Sequence, residues 1–247
     1  MTGTVIEIWR HPIKSHGREA LSEVTVSPGQ TMPGDRIWAV AHEKSLATSA
    51  EWSPCANFSR VSKAPALMAM TSAYDDTTGQ VTLHHPDRPD LTFDPDGAPD
   101  AFLDWVAPLM PENRAQSARF VRVPGRGMTD SDFPSITLGN MASHRAVEQR
   151  LNQKLSIHRW RNNIWFDRLP GWEEFDWLNR EVQIGQAVFF VRERTDRCLA
   201  TTANPETGRR DADTLAALES WGHQDFTVRA EVVRGGTIRT GDAVTPL

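Results

Sequence analysis

The chain has 247 residues, 39% hydrophobic and 24% charged, a balance that excludes a disordered polymer and suits one large domain or two small ones. Its 27 Lys and Arg stand against 32 Asp and Glu, and the net charge of −5 argues against general affinity for nucleic acid or anionic membranes. The two cysteines, Cys55 and Cys198, lie far apart and lack CxxC spacing, which excludes a disulfide framework and a structural zinc site of that type.

The first residues alternate polar and apolar side chains without the continuous apolar core of a signal peptide, and no later run approaches a membrane span, so a cytoplasmic protein is expected. Alternation predicts strands at residues 4–9, 23–26 and 36–42, the first stopped by Pro12 and the second by Ser27-Pro28-Gly29. Strands at 67–72 and 81–84 flank Asp75-Asp76-Thr77-Thr78-Gly79, which reads as a hairpin loop and implies an antiparallel sheet or barrel. His84 and His85 are neighbours on a strand and point to opposite faces, so they read as solvated hairpin residues rather than zinc ligands. Residues 88–111 are rich in Asp and Pro around one short helix at 100–109, which places a boundary between a β-rich region, 1–110, and a second unit, 111–247.

Beyond a polar loop at 125–132 the pattern becomes strand 136–138, helix 141–155 capped by Asn140, and strand 163–166. A strand at 187–192, a helix at 214–221 capped by Asp213, and strands at 227–233 and 237–245 complete the chain. The expected class is α+β, mainly β.

Cys198 lies just beyond the strand at 187–192 and follows Arg192, Arg194 and Arg197, a cationic setting that favours the thiolate a soft metal or an electrophile requires. A free cysteine is more often a small buried apolar residue, and local charge alone does not displace that reading. The segment Leu199-Ala-Thr-Thr-Ala-Asn-Pro-Glu-Thr-Gly-Arg-Arg-Asp211 then adds hydroxyls, a turn and two arginines, a loop suited to a polar anion. Cys55 has no adjacent base or metal pattern, and a buried or loop thiol is its default. The nine tryptophans read first as core residues.

Arg197-Cys198, the small residues after it, Asn204-Pro205-Glu206-Thr207-Gly208 and the helix carrying Leu215 and Leu218 resemble the signature of MOSC domains, the molybdenum cofactor sulfurase C-terminal family. His11-Pro12-Ile13-Lys14-Ser15, Gly34-Asp35-Arg36, the stretch from Arg159 to Ile164 and the stretch from Trp172 to Trp177 agree with that family in order and spacing. The resemblance implies a MOSC-type β-barrel with short peripheral helices, preceded by a smaller β-rich N-terminal region. It also implies a molybdopterin-type molybdenum cofactor, with Cys198 as metal ligand and catalytic residue.

Cofactor contacts are carried over to Lys14, Ser15, Arg36, Asn140, Arg161, Asn163, Arg197 and Thr201. Lys14 and Ser15 match a Pro-x-Lys-Ser turn, where an ammonium, a hydroxyl and a backbone N–H suit phosphate; the alternative is a solvated lysine. Arg36 offers a guanidinium to phosphate or pterin carbonyls, or else pairs with Asp35 or Glu43. Arg159 and Arg161 share one face of an extended chain with Asn163, so one arginine and Asn163 are expected at the cofactor and the other arginine in a structural role. Asn140 either marks an anion-binding helix start or simply caps the helix, and Thr201 and Thr202 either meet the cofactor or serve local backbone.

The relatives imply a reductase of N-hydroxylated or other N-oxygenated small molecules, working by oxygen-atom transfer. The alternative is a non-catalytic carrier of cofactor or of persulfide sulfur. The chain ends at Leu247 without a cysteine-rich ferredoxin module, so a separate electron-donor protein is expected, and no membrane anchor. Only residues 158–161 and 234–239 favour nucleic acid, and the acidic balance opposes it.

Overall fold

The computed structural model describes residues 1–247. Strand β1 (Gly3–Arg10) is followed by β2 (Glu19–Leu21), β3 (Glu23–Val26) and β4 (Ala39–His42). Strands β5 (Thr71–Tyr74), β6 (Val81–His85) and β7 (Arg88–Phe93) form an antiparallel meander. Helix α1 (Asp100–Val106) leads to β8 (Ser117–Val121), which pairs antiparallel with β4. Then come β9 (Ile136–Asn140), α2 (Met141–Leu151), β10 (Ile164–Asp167), β11 (Glu181–Ile184) and β12 (Ala187–Asp196). Helix α3 (Thr214–Glu219), β13 (Asp225–Arg234), β14 (Gly236–Arg239) and β15 (Ala243–Pro246) complete the order.

Seven strands close a barrel in the order β1, β10, β9, β13, β12, β11, β15 and back to β1. Only the β9–β10 pair is parallel, with α2 as its crossover. Closure is possible because β1 serves two neighbours: Thr4 to Ile8 face β10, while Gly3 and Thr4 face β15 on the other edge. The rest of that second edge, Ile8 to Arg10, is covered by β2. The barrel therefore takes one stave from before residue 110 and six from after it.

Alternating inward residues fill the barrel: Val5, Ile8, Leu138, Ile164, Phe166, Val182, Ile184, Phe189, Val191, Val228, Ala230 and Val244 form one buried cluster, joined by Val24 and Val26 of β3. A second cluster, built on Trp38, Met68, Met70, Leu83, Phe102 and Val106, holds the meander, α1 and β4 together. The protein is thus mainly β, a closed seven-stranded barrel with few short helices.

Several expected elements differ in ways that have local causes. Residues 67–72 are not one strand, since Pro65 opens a 3-10 turn through Ala69 and extended backbone resumes only at β5. The strand expected at 36–42 begins at Ala39 because Arg36 has a positive φ. The helix expected to reach residue 155 stops at Asn152, which adopts the left-handed conformation that ends helices. Residues 237–245 are two strands split by a turn at Gly241. Of the two hairpin histidines only His84 is solvated, pairing with Asp90; His85 is buried, its ring nitrogen against the Ala66 carbonyl.

Candidate functional site

Cys198 lies one residue beyond β12 and caps a 3-10 turn, Leu199–Thr202, with its thiol exposed. It lines a cavity of about 240 Å³ whose walls also carry Lys14, Ser15, Arg36, Arg161, Asn163, Arg197 and Thr201. Segments distant in sequence are thus brought together as expected, with the single exception of Asn140. That residue is fully buried away from the cavity: its side-chain oxygen accepts from the Ala142 N–H, and its amide donates to Pro170 O and Glu174 Oε2. Asn140 is a helix cap and a clasp, and the cofactor role expected for it is corrected on that ground.

Seven cationic side chains and only two carboxylates line the cavity, the reverse of the chain's overall balance. Most of these cations are already engaged. Lys14 donates to Met128 O at 2.6 Å and to Asp130 at 2.5 Å. Arg36 pairs with buried Asp35 and donates to Arg161 O at 2.9 Å. Arg159 is the structural arginine, spanning the carbonyls of Thr201 and Ala203 and the Asp211 carboxylate. Arg229 pairs with Glu193 and Asp196.

Arg197 lines the cavity, yet its donors go to Phe226 O, Trp160 O and the Thr227 hydroxyl. It fastens the cysteine loop to β13. The arginines expected to surround the thiol are dispersed in the same way, Arg192 pairing with Glu231 and Arg194 lying 4.2 Å over the Phe175 ring.

Arg161 differs from all of these. Both terminal nitrogens of its guanidinium are buried and have no hydrogen-bond partner. Burial, with Arg36 and Arg18 nearby, pushes its pKa down to about 9, so it remains charged at neutral pH. Burial first, and the same positive field after it, depress the neighbouring imidazoles, His11 to about 3 and His16 to about 4. Against the upward push of burial, the Lys14 ammonium holds the Asp130 carboxyl below the usual carboxylate range, with Arg36 and Arg229 adding to it.

Backbone geometry marks the same place. Ser15, Arg36 and Arg161 have φ values of 66°, 51° and 50°, and Thr227, which accepts from Arg197, has 69°. Left-handed backbone is unfavourable for side-chain-bearing residues, most of all for a β-branched one, and three residues of the cavity wall adopt it. Asn163 closes the wall by accepting from the Thr137 N–H and hydroxyl and donating to Trp9 O, so its amide orients the barrel mouth. The Thr201 hydroxyl meets Thr214 and the Cys198 carbonyl, a local role.

Sequence reasoning missed Asp130, Arg229 and the wall made by Cys55, Arg60 and Ser62. Asp130 sits in the loop that opens the second unit and carries no spacing signal of its own. Cys55 lacked any pattern and enters the cavity only because residues 55–62 fold back toward the cysteine loop.

A closed mixed barrel thus carries an exposed cysteine at the end of one stave, opening on an arginine-lined cavity. The MOSC domain family model matches residues 129–245, and the MOSC N-terminal beta barrel domain model matches residues 2–107. The chain belongs to the MOSC family and carries both of its units. Among solved structures, the YuaD protein from Bacillus subtilis is similar over 100% of this chain and 96% of its own, with a TM-score of 0.50 and 12% identity, a likeness of fold. YiiM from Geobacillus stearothermophilus aligns over 45% of this chain and 53% of its own, with a TM-score of 0.36 and 17% identity. No curated protein matches the sequence significantly.

Proposed function

We propose that this protein is a molybdenum-cofactor-dependent reductase of small N-oxygenated compounds, with Cys198 as the protein's ligand to the metal. The observation that carries the reading is the buried, partnerless guanidinium of Arg161 in the same cavity as the exposed Cys198 thiol. A buried cation without a counter-charge is costly, and an anionic ligand offsets that cost. A molybdopterin-type cofactor offers such an anion in its phosphate and a soft metal for the thiol, so the donor set fits it.

Arg161, Arg36, Lys14 and Ser15 would hold the anionic end, with Asp130 yielding Lys14 to the incoming phosphate. Cys198 would hold the metal end. The bound cofactor supplies two-electron oxygen-atom transfer. Arg197 keeps the thiol's loop fixed on β13, and Asn163 and Arg159 hold the walls against which substrate orients. Electrons come from a separate donor protein.

The test measures molybdenum and pterin per chain, and reduction of an N-hydroxylated amidine with an artificial electron donor. Wild type is expected to bind near one molybdenum per chain and to turn over; Cys198→Ser is expected to lose turnover. A Cys198→Ser protein with bound molybdenum and full activity would overturn the ligand role. The exposure of Cys198 also supports a second reading, a sulfur carrier, for which the readout is a mass gain of one sulfur on Cys198 with no turnover. No helix is long and apolar enough to cross a membrane.

A further inference from the structure

One wall of the cavity is left without a task by this reading. Cys55, Arg60, Val61 and Ser62 line it, and they come from the segment between β4 and β5. Arg210 fixes this wall beside the cysteine loop, donating to Ser62 O at 3.0 Å, to the Leu199 carbonyl and to the Thr202 hydroxyl. The wall therefore lies beside the cysteine loop; Arg36 is tied to Arg161 O and Asp35, and Lys14, held by Asp130, lies 5.9 Å over the Phe58 ring of the same segment.

Arg60 has one side-chain contact, from Nη1 to Cys55 Sγ at 3.2 Å. Its Nε and Nη2 donors have no protein partner, and they form the edge of a guanidinium that takes a carboxylate through two parallel hydrogen bonds. The two carboxylates of the cavity do not serve it, since Asp130 is held by Lys14 and Asp196 by Arg229. Lys63 and Arg209, next in sequence to Ser62 and Arg210, are exposed, as is Glu206. With seven cationic side chains against two carboxylates on its lining, the cavity favours negative charge.

Resting on the reductase reading for the reaction itself, we propose that Arg60 selects the substrate and that the substrate is an N-oxygenated compound bearing a carboxylate. The Nε/Nη2 edge of Arg60 receives the carboxylate and turns the N-oxygenated end toward Cys198. Neutral compounds enter without that anchor.

Charge selection at this wall is readable without turnover, because Cys55 reports on it. In Cys198→Ser protein Cys55 is the only thiol, and its alkylation rates by iodoacetate and by iodoacetamide are compared. The ratio of the two cancels changes in the thiol's own reactivity and accessibility. At low salt the iodoacetate preference should exceed that of a neutral peptide thiol by about tenfold and shrink as ionic strength rises. Arg60→Gln should abolish the excess and Arg60→Lys retain part of it. A Cys55 ratio equal to that of the peptide thiol, or one unmoved by Arg60→Gln, would overturn the proposal.

In the loaded enzyme, a carboxylate-bearing N-hydroxyamidine should show a lower KM than its carboxamide, with the gap lost in Arg60→Gln. Equal KM values for the two compounds would also count against Arg60. Turnover of neither compound, with the Cys55 preference intact, would sink the reductase reading while supporting the anion-selecting wall.

Discussion

Arg161 is held in left-handed backbone, buried at its charged end, and given no partner, three unfavourable conditions at one residue. Replacing it with Met removes the desolvation cost, so the ligand-free variant should be more stable than wild type by about 1–3 kcal/mol, seen as a raised midpoint in urea. Inorganic phosphate should raise the melting temperature of wild type, and the same variant should lose that rise. An Arg161→Met protein that is less stable and still responds to phosphate would show that the guanidinium is structural. The family resemblance pointed to Arg161 as the cofactor contact, but local spacing alone left Arg159 and Arg161 as equivalent members of one alternating pair. Their separation comes from geometry: Arg159 reaches three acceptors, while Arg161 turns at a positive φ into the cavity.

The joint between α2 and the 3-10 turn Glu173–Trp177 is built on buried Glu174, which accepts from Ser143 Oγ at 2.6 Å and Asn140 Nδ2 at 3.0 Å, with no cation beside it. Burial raises its pKa to about 7, against the lowering effect of those two hydrogen bonds. The folded protein therefore keeps a proton that the unfolded chain releases near its ordinary value of 4.5. This contribution is fully present below that value, declines as pH rises, and is lost above about 7, up to about 3 kcal/mol in all. Glu174→Gln should flatten that slope in denaturant titrations between the two values, and an unchanged slope would remove Glu174 as its origin. Asn140→Ala should cost about 1–2 kcal/mol through the lost cap while leaving phosphate binding unaltered, which separates capping from ligand contact. The cap was visible in the sequence as Asn before a periodic run, but its second partner, 34 residues away, was not.

At the scale of the molecule, alternation at residues 4–9 announced a strand, and the motifs around Cys198 announced the family; what they did not show is that this first strand seals the barrel. Pairing partners depend on long-range register, which local alternation does not encode. A fragment starting at residue 111 lacks β1 and so exposes the edges of β10 and β15. It should bind a hydrophobic dye and lack near-ultraviolet dichroism, and a fragment with native spectra would contradict closure by β1. The seal also has a timing. During synthesis β1 is made well before its partner β15, whose Val244 and Ala243 pair with Gly3 and Thr4. The residues between them must be translated while that strand waits with open edges, so closure is late, slow by virtue of its long contacts, and exposed meanwhile to wrong partners that a chaperone would have to keep away.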